Sequence, residues 1–313
     1  MKKIEDFKVK FWGVRGSYPV ANKDFLKYGG NTACVEVTVG GHRIILDGGT
    51  GIIPLGDKIF KEHISSSEDV FNRTPMNVLV LLSHVHQDHI QGLNFFKPIN
   101  SLTTQFSLYG YSGFDSSLAE TLAELIYGKS FPLNLYDVTA DCHISDITEA
   151  DIIILNKEND LPIVKRITGS SDITPKKDEV VISFMKSNAH PNFGVMCFKI
   201  AYKGKTMVYA SDTECYSGGS KKLELFAKDT DLLIHDSQYT TEDYLSIVVP
   251  KQGYGHSTFS MAYETAVAAN AKKMAFFHFD PSYNDEKLTY IENIFKNKNK
   301  NCFFAKEGLE ICL

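Results

Sequence analysis

The chain has 313 residues, 43% hydrophobic and 23% charged, with a formal net charge of −5. That length suits one large domain or two small ones, and the composition argues against broad disorder and against a basic, nucleic-acid-like charge balance. Six scattered cysteines (Cys34, Cys142, Cys197, Cys215, Cys302, Cys312) form no Cys-x-x-Cys pair, which fits reduced thiols better than a disulfide framework or a cysteine-rich zinc site.

The start, "MKKIEDFKVKFWG", is charged and lacks the apolar core of a signal peptide. No apolar run approaches membrane-spanning length, so the expectation is a cytoplasmic protein with no membrane contact. "KVKFWG" (8–13), "CVEVTV" (34–39) and "RIILD" (43–47) read as strands, with glycines 40–41 supplying a turn. "NVLVLLS" (77–83) is a continuous apolar run of the kind found in strands buried on both faces, and a helix is predicted from near Asp88. Residues 117–127 have helical spacing, but strand-like and loop-like pieces mix through 100–180, and the pattern there specifies no topology. The last third returns to strands at "VVISFMK", "GVMCFKIAY", "TMVYAS" and "DLLIHDS", then the helix "TFSMAYETAVAANA" and the strand "KMAFFHF". Two sheet-rich halves with helices predict a helix-covered two-sheet sandwich, and the lack of a linker favours one domain over 1–313.

The segment "HVHQDH" (84–89) sets His84, His86, Asp88 and His89 just past an apolar strand. Residues two apart on a strand share a side, so His84 and His86 can address one point, while Asp88 and His89 face a second nearby. Neutral imidazoles and carboxylates are the ligands that zinc, manganese or iron accepts. His190 in "SNAHPNFG", Asp212 in "VYASDTE" and His278 in "AFFHFDP" each stand at or near a strand end and are candidate partners.

"HVHQDH" resembles the HxHxDH signature of the metallo-β-lactamase superfamily, and His190, Asp212 and His278 fall in the order of its later ligand motifs. The resemblance implies an αββα sandwich, two mixed sheets flanked by helices, with two divalent ions, zinc or manganese, at one edge. It implies that His84, His86 and His190 hold one ion, that Asp88, His89 and His278 hold the other, and that Asp212 bridges them. "FWGVRGSYPV", "YGGNTACVEV", "ILDGGTGI", "LLIHDSQYT" and "GYGHSTFSMA" resemble a phosphodiesterase-like branch that includes cyclic-nucleotide-degrading enzymes of bacteria and phage. Transfer-RNA 3′-processing nucleases share a GHST-like element.

From that resemblance, His256 is the expected catalytic group at the scissile phosphate, either stabilising the transition-state oxygens or donating a proton to the leaving oxygen, with Asp88 orienting the attacking hydroxide. Arg15, Ser17 and Asn31 are candidate substrate-binding residues, although Arg15 and Ser17 can equally anchor their loop and Asn31 can fix a turn. Asp47 and Asp236 are expected to hydrogen-bond a ligand loop or a ligand histidine.

The favoured substrate is a 3′,5′-cyclic nucleotide or another small phosphodiester. The processing nucleases usually carry an RNA-gripping arm between the ligands matched here by His190 and Asp212, but only 22 positions (212 − 190) separate these. With the acidic charge, this argues against a nucleic-acid partner. Lactone or thioester hydrolysis is a third reading, and a non-enzymatic metal scaffold ranks last because every ligand position is filled. The 101 positions from His89 to His190 (190 − 89) predict an insertion within 100–180, where Tyr109, Tyr111, Phe114, Tyr127 and Phe131 can stack on a base or simply pack. A homodimer is implied by the resemblance alone.

Overall fold

A computed structural model describes residues 7–113, 115–129, 131–167, 176, 178–216 and 218–313. The first third forms β1 (Phe7–Gly13), β2 (Cys34–Val39), β3 (His42–Leu46), α1 (Ile52–Ser65) and β4 (Met76–Leu82). The middle forms α2 (Gln87–Ile90), β5 (Thr104–Gly110), α3 (Leu118–Leu125), β6 (Asp141–Asp146), β7 (Asp151–Asn156) and β8 (Asn159–Arg166). Then come β9 (Val180–Ser187), β10 (Val195–Tyr202), β11 (Lys205–Ala210), α4 (Lys221–Phe226), β12 (Leu232–Asp236) and α5 (Thr241–Tyr244). The chain closes with α6 (Phe259–Ala268), β13 (Met274–Phe277), α7 (Asp285–Lys298), β14 (Cys302–Phe304) and β15 (Glu310–Cys312).

The strands make two mixed sheets, in the orders β15-β1-β2-β3-β4-β5-β6 and β14-β13-β12-β11-β10-β9-β7-β8. Strand alternation separates two cores. Ile44, Leu46, Leu79 and Leu81 join the inter-sheet core with Ile182, Phe198, Tyr209, Ile234 and Phe277 of the other sheet. Their neighbours Ile45, Val78, Val80 and Leu82 point the opposite way and pack on Ile52, Leu55 and Ile59 of α1. Phe259, Leu288, Ile291 and Phe295 of α6 and α7 cover β13 and β14 from outside. This is the αββα sandwich, and both faces of β4 are buried, which explains its unbroken apolar run.

The segment 100–180 builds no arm from its described residues. β6 extends one sheet beside β5, and the β7–β8 hairpin extends the other beside β9. Tyr109, Tyr111 and Tyr127 are buried, and Phe131 packs edge-on against Phe95 and Tyr127, so these four rings serve packing. Phe114 lies outside the described residues.

The sequence pattern did not single out α1, α7, β5, β14 or β15. α1 opens at a glycine without a side-chain cap and carries Pro54 in its first turn, so its boundary signals are weak.

Candidate metal centre

The polar ends of β4, β9, β11, β12 and β13 converge at one edge of the sandwich. His84 and His86 follow β4, His86 caps α2, and Asp88 and His89 fall within that single helical turn. His190 follows β9, Asp212 follows β11 and His278 follows β13. Ligand atoms of His84, His86 and His190 lie within 4.8 Å of one another, as do those of Asp88, His89, Asp212 and His278. The two oxygens of Asp212 divide between the groups. Oδ1 stands 3.8 Å from Nε2 of both His84 and His190, while Oδ2 stands 3.1 Å from His89 Nε2 and 3.4 Å from His278 Nε2.

Outer hydrogen bonds set which ring nitrogen faces inward. His89 donates from Nδ1 to Asp47, and His278 donates from Nδ1 to Gln238 Oε1 at 3.1 Å, so both turn Nε2 toward Asp88 and Asp212. His190 donates from Nδ1 to the Gly255 carbonyl at 3.1 Å. Ser83 relays the same effect, accepting from His84 Nδ1 at 3.0 Å and donating to Asp47 Oδ2 at 2.9 Å. His84 Nε2 is then a buried nitrogen without a hydrogen-bond partner, aimed at Asp212.

The charges within the cluster oppose one another. Burial, with the neighbouring histidines, holds His84 well below the ordinary histidine value, and burial first also pushes His190 down to about 4 and lowers His86. These three are neutral and competent as ligands. Burial would raise Asp88 and Asp212, but the adjacent imidazoles outweigh it and keep both carboxyls well below the carboxylate range. Burial alone would lower His89, yet Asp212, Asp88 and Asp47 drive it well above. The carboxylates therefore demand positive charge at this point, which a divalent cation supplies more fully than a proton. The donor set thus fits two cations, with Asp212 shared.

The backbone is bent to present these groups. Ser17, Asp47, Asp212 and His278 adopt φ of 62°, 62°, 52° and 64°, left-handed values that cost non-glycine residues about 1–3 kcal/mol each. Such strain persists where the surroundings over-determine it. Gly16 passes so close to His278 that a Cβ there would meet its Cε1 at 2.4 Å.

The remaining candidates divide. Asp236 Oδ2 accepts from His256 Nδ1 at 3.1 Å, and that nitrogen lies 3.7 Å from Asp212 Oδ1, so His256 borders the cluster. Burial would lower His256, but Asp236 first, then Asp212 and Asp88, raise it to about 9. Ser17 reaches the centre through its backbone, donating N–H to Asp88 Oδ2 at 2.7 Å, and its hydroxyl meets Gln238.

Arg15 and Asn31 make the structural contacts that were the alternative to substrate binding. The Arg15 side chain is fully buried and donates to the carbonyls of Gly29, Asp280 and Tyr283, so it ties its loop to two others instead of meeting phosphate. Asn31 donates from Nδ2 and from its backbone N to Glu307. Gln238, Ser83 and Tyr209, whose hydroxyl donates to Asp47 at 2.6 Å, were missed in the sequence. Ser83 adjoins a ligand, which was a usable signal, whereas Tyr209 looks like any strand residue. A cavity of about 700 Å³ lined by His42, Glu62, His63 and Lys157 lies at the opposite ends of β3 and β4 and shares no residue with the cluster.

Fold and site together define a metal-dependent hydrolase with paired ligand sets at a sandwich edge. Residues 42–279 match the beta-lactamase superfamily domain, and the chain belongs to the metallo-β-lactamase superfamily. It is 27% identical over 326 aligned residues to a ribonuclease Z of Picrophilus torridus, covering 97% of this chain and 95% of that protein. Human tRNase Z, short form, has a similar fold, with a TM-score of 0.59 at 17% identity over 97% of this chain and 98% of that one. Yeast PDE1 does too, at 0.59 and 12% identity over 99% and 100%. The expectation against a nucleic-acid partner finds no support among relatives that carry the name ribonuclease Z. No helix among the described residues is long and apolar enough to cross a membrane.

Proposed function

We propose that the chain hydrolyses phosphodiester bonds, with a compact substrate, a 3′,5′-cyclic nucleotide first. The observation that carries the reaction class is His256, fastened through Nδ1 by Asp236 and leaving Nε2 for substrate beside the bridging Asp212. When bound, the two divalent ions, zinc or manganese, supply Lewis acidity that lowers the pKa of a water and neutralises phosphoryl charge. Asp88, whose Oδ2 accepts the Ser17 N–H, is placed to accept a hydrogen bond from the attacking water and aim it at phosphorus. His256 donates through Nε2 to the leaving oxygen, as a general acid must. Asp47, Gln238 and the Gly255 carbonyl keep the ligand histidines in the tautomers this arrangement needs.

Two features support a compact substrate. The chain between His190 and Asp212 is a β10–β11 hairpin turning on Lys203 and Gly204, so no arm stands there to grip RNA. Exposed rings of Tyr18, Phe193 and Tyr254 lie on the loops that carry Ser17, His190 and His256 and offer surfaces for a base. Phe193 is held at φ 74° and half exposed, with its ring against Gly113, where a Cβ would meet the ring at 3.0 Å, and its open side facing solvent.

The second reading is RNA 3′-end processing, favoured by the ribonuclease Z name of the relatives. Within the first reading, 1–313 is one domain, cytoplasmic in keeping with six free thiols, and a homodimer. The deciding experiment offers manganese- or zinc-loaded protein a panel of cyclic mononucleotides, cyclic dinucleotides and a precursor transfer RNA with a 3′ trailer, with Asp212→Ala as control. Turnover of cyclic mononucleotides that is lost in the variant is the expected result. Trailer removal without it would move the assignment to the nuclease reading, and cleavage of neither ester class would overturn phosphodiester chemistry.

A further inference from the structure

Glu214 stands two residues beyond the bridging Asp212, is 1% exposed, and among the described residues pairs with no lysine or arginine. Its carboxylate faces backbone instead. Oε1 accepts from Gly253 N at 2.9 Å and from the Tyr244 hydroxyl at 2.5 Å, and Oε2 accepts from Gly253 N at 3.0 Å and Gly255 N at 2.9 Å. A buried carboxylate is costly unless such donors surround it, and here they come from one glycine-rich loop and one tyrosine. The glycines are required. Gly253 and Gly255 have φ of 82° and 88°, and a Cβ on Gly255 would meet His190 Nδ1 at 2.1 Å.

The Gly255 peptide joins three functions. Its N–H is held by Glu214, its C=O accepts from His190, and the next residue is His256. Ser257 closes the far side, donating to the Thr213 carbonyl at 2.6 Å and accepting from Cys215 N at 2.9 Å. The strand end that carries the bridging carboxylate is therefore stitched residue by residue to the loop that carries the proposed acid. We propose that Glu214 is a positioning residue that sets the height of His256 over the scissile phosphate by gripping the 253–255 loop. The inference rests on the reading of His256 as donor to the leaving oxygen. A carboxylate suits the task because it accepts from several N–H groups at once, whereas glutamine would turn an NH2 toward one of them.

The test compares Glu214→Gln, Tyr244→Phe and His256→Ala with the parent protein. Each is loaded with manganese and assayed on bis-p-nitrophenyl phosphate, whose leaving group needs no proton, and on diphenyl phosphate, whose leaving group does. His256→Ala should lose about 10²-fold or more in kcat on diphenyl phosphate and far less on the nitrophenyl ester. Glu214→Gln should show the same asymmetry, about tenfold on diphenyl phosphate, with unchanged bound manganese and no further loss when combined with His256→Ala. Tyr244→Phe, a milder change that leaves the carboxylate in place, should show a smaller loss of the same pattern. Equal losses on both esters, or none, in Glu214→Gln and Tyr244→Phe would overturn the positioning role. If His256→Ala itself lacks the asymmetry, the assignment of His256 as acid fails, and the role of Glu214 with it.

Discussion

His89 donates from Nδ1 to Asp47 Oδ2 at 2.8 Å, and both side chains are fully buried. Asp47 is thereby the hub beneath the cluster, since Ser83 and Tyr209 converge on the same carboxylate. Asp47→Asn is expected to weaken metal affinity by about 10- to 100-fold, the usual cost of losing such a partner. Asparagine tolerates the left-handed φ that Asp47 adopts, so backbone strain does not confound the comparison. Competition titration with a zinc chelator measures the effect, and an unchanged affinity would refute the role.

Arg15 is expected to matter for folding and not for substrate. Its three carbonyl acceptors belong to loops near residues 29, 280 and 283, and burial pushes its pKa down to about 10 despite Asp285, Glu307 and Asp280 nearby. Arg15→Ala should lower unfolding free energy by at least about 2 kcal/mol, as charged hydrogen bonds to buried carbonyls are lost. Urea titration gives that value, and KM for a phosphodiester should stay at the parent level. A raised KM with unchanged stability would return Arg15 to the substrate.

Metal should stabilise the fold, because the cluster concentrates buried carboxylates that require positive charge. At a free metal concentration of 100 times Kd, one site adds about 2.7 kcal/mol. Stripping the protein with a chelator should therefore lower Tm by several degrees, and zinc or manganese should restore it. A Tm indifferent to metal would count against the paired ligand sets.

Phe193 is expected to contribute binding without chemistry. Phe193→Ala should raise KM for a cyclic nucleotide by roughly tenfold, given about 1–3 kcal/mol per stacked base. The kcat should be unchanged, and hydrolysis of a dialkyl phosphate, which has no base, should be unaffected. Equal effects on both substrates would mean that the ring shapes its loop instead.

How much was legible beforehand varies residue by residue. The strands β1, β2, β4, β10 and β13 were readable because their apolar periodicity is local, and "HVHQDH" because four candidate ligands follow one strand. α1 was not, since it opens at an uncapped glycine with a proline in its first turn. Residues 100–180 were not, because the edge strand β6 alternates weakly and takes its place only by pairing with β5, as β7 takes its place by pairing with β9.

By itself the sequence determined the candidate ligand types, their order along the chain and the sandwich that carries them, because those depend on residue chemistry and local period. Only the tertiary structure decided which atoms meet. It turned Arg15 and Asn31 inward to serve their loops, brought Gln238 to His278 across 40 positions, and set Glu214 beneath the His256 loop. Side chains hydrogen-bond to whatever group the fold places within about 3 Å of them, and that partner leaves no periodic trace in the sequence.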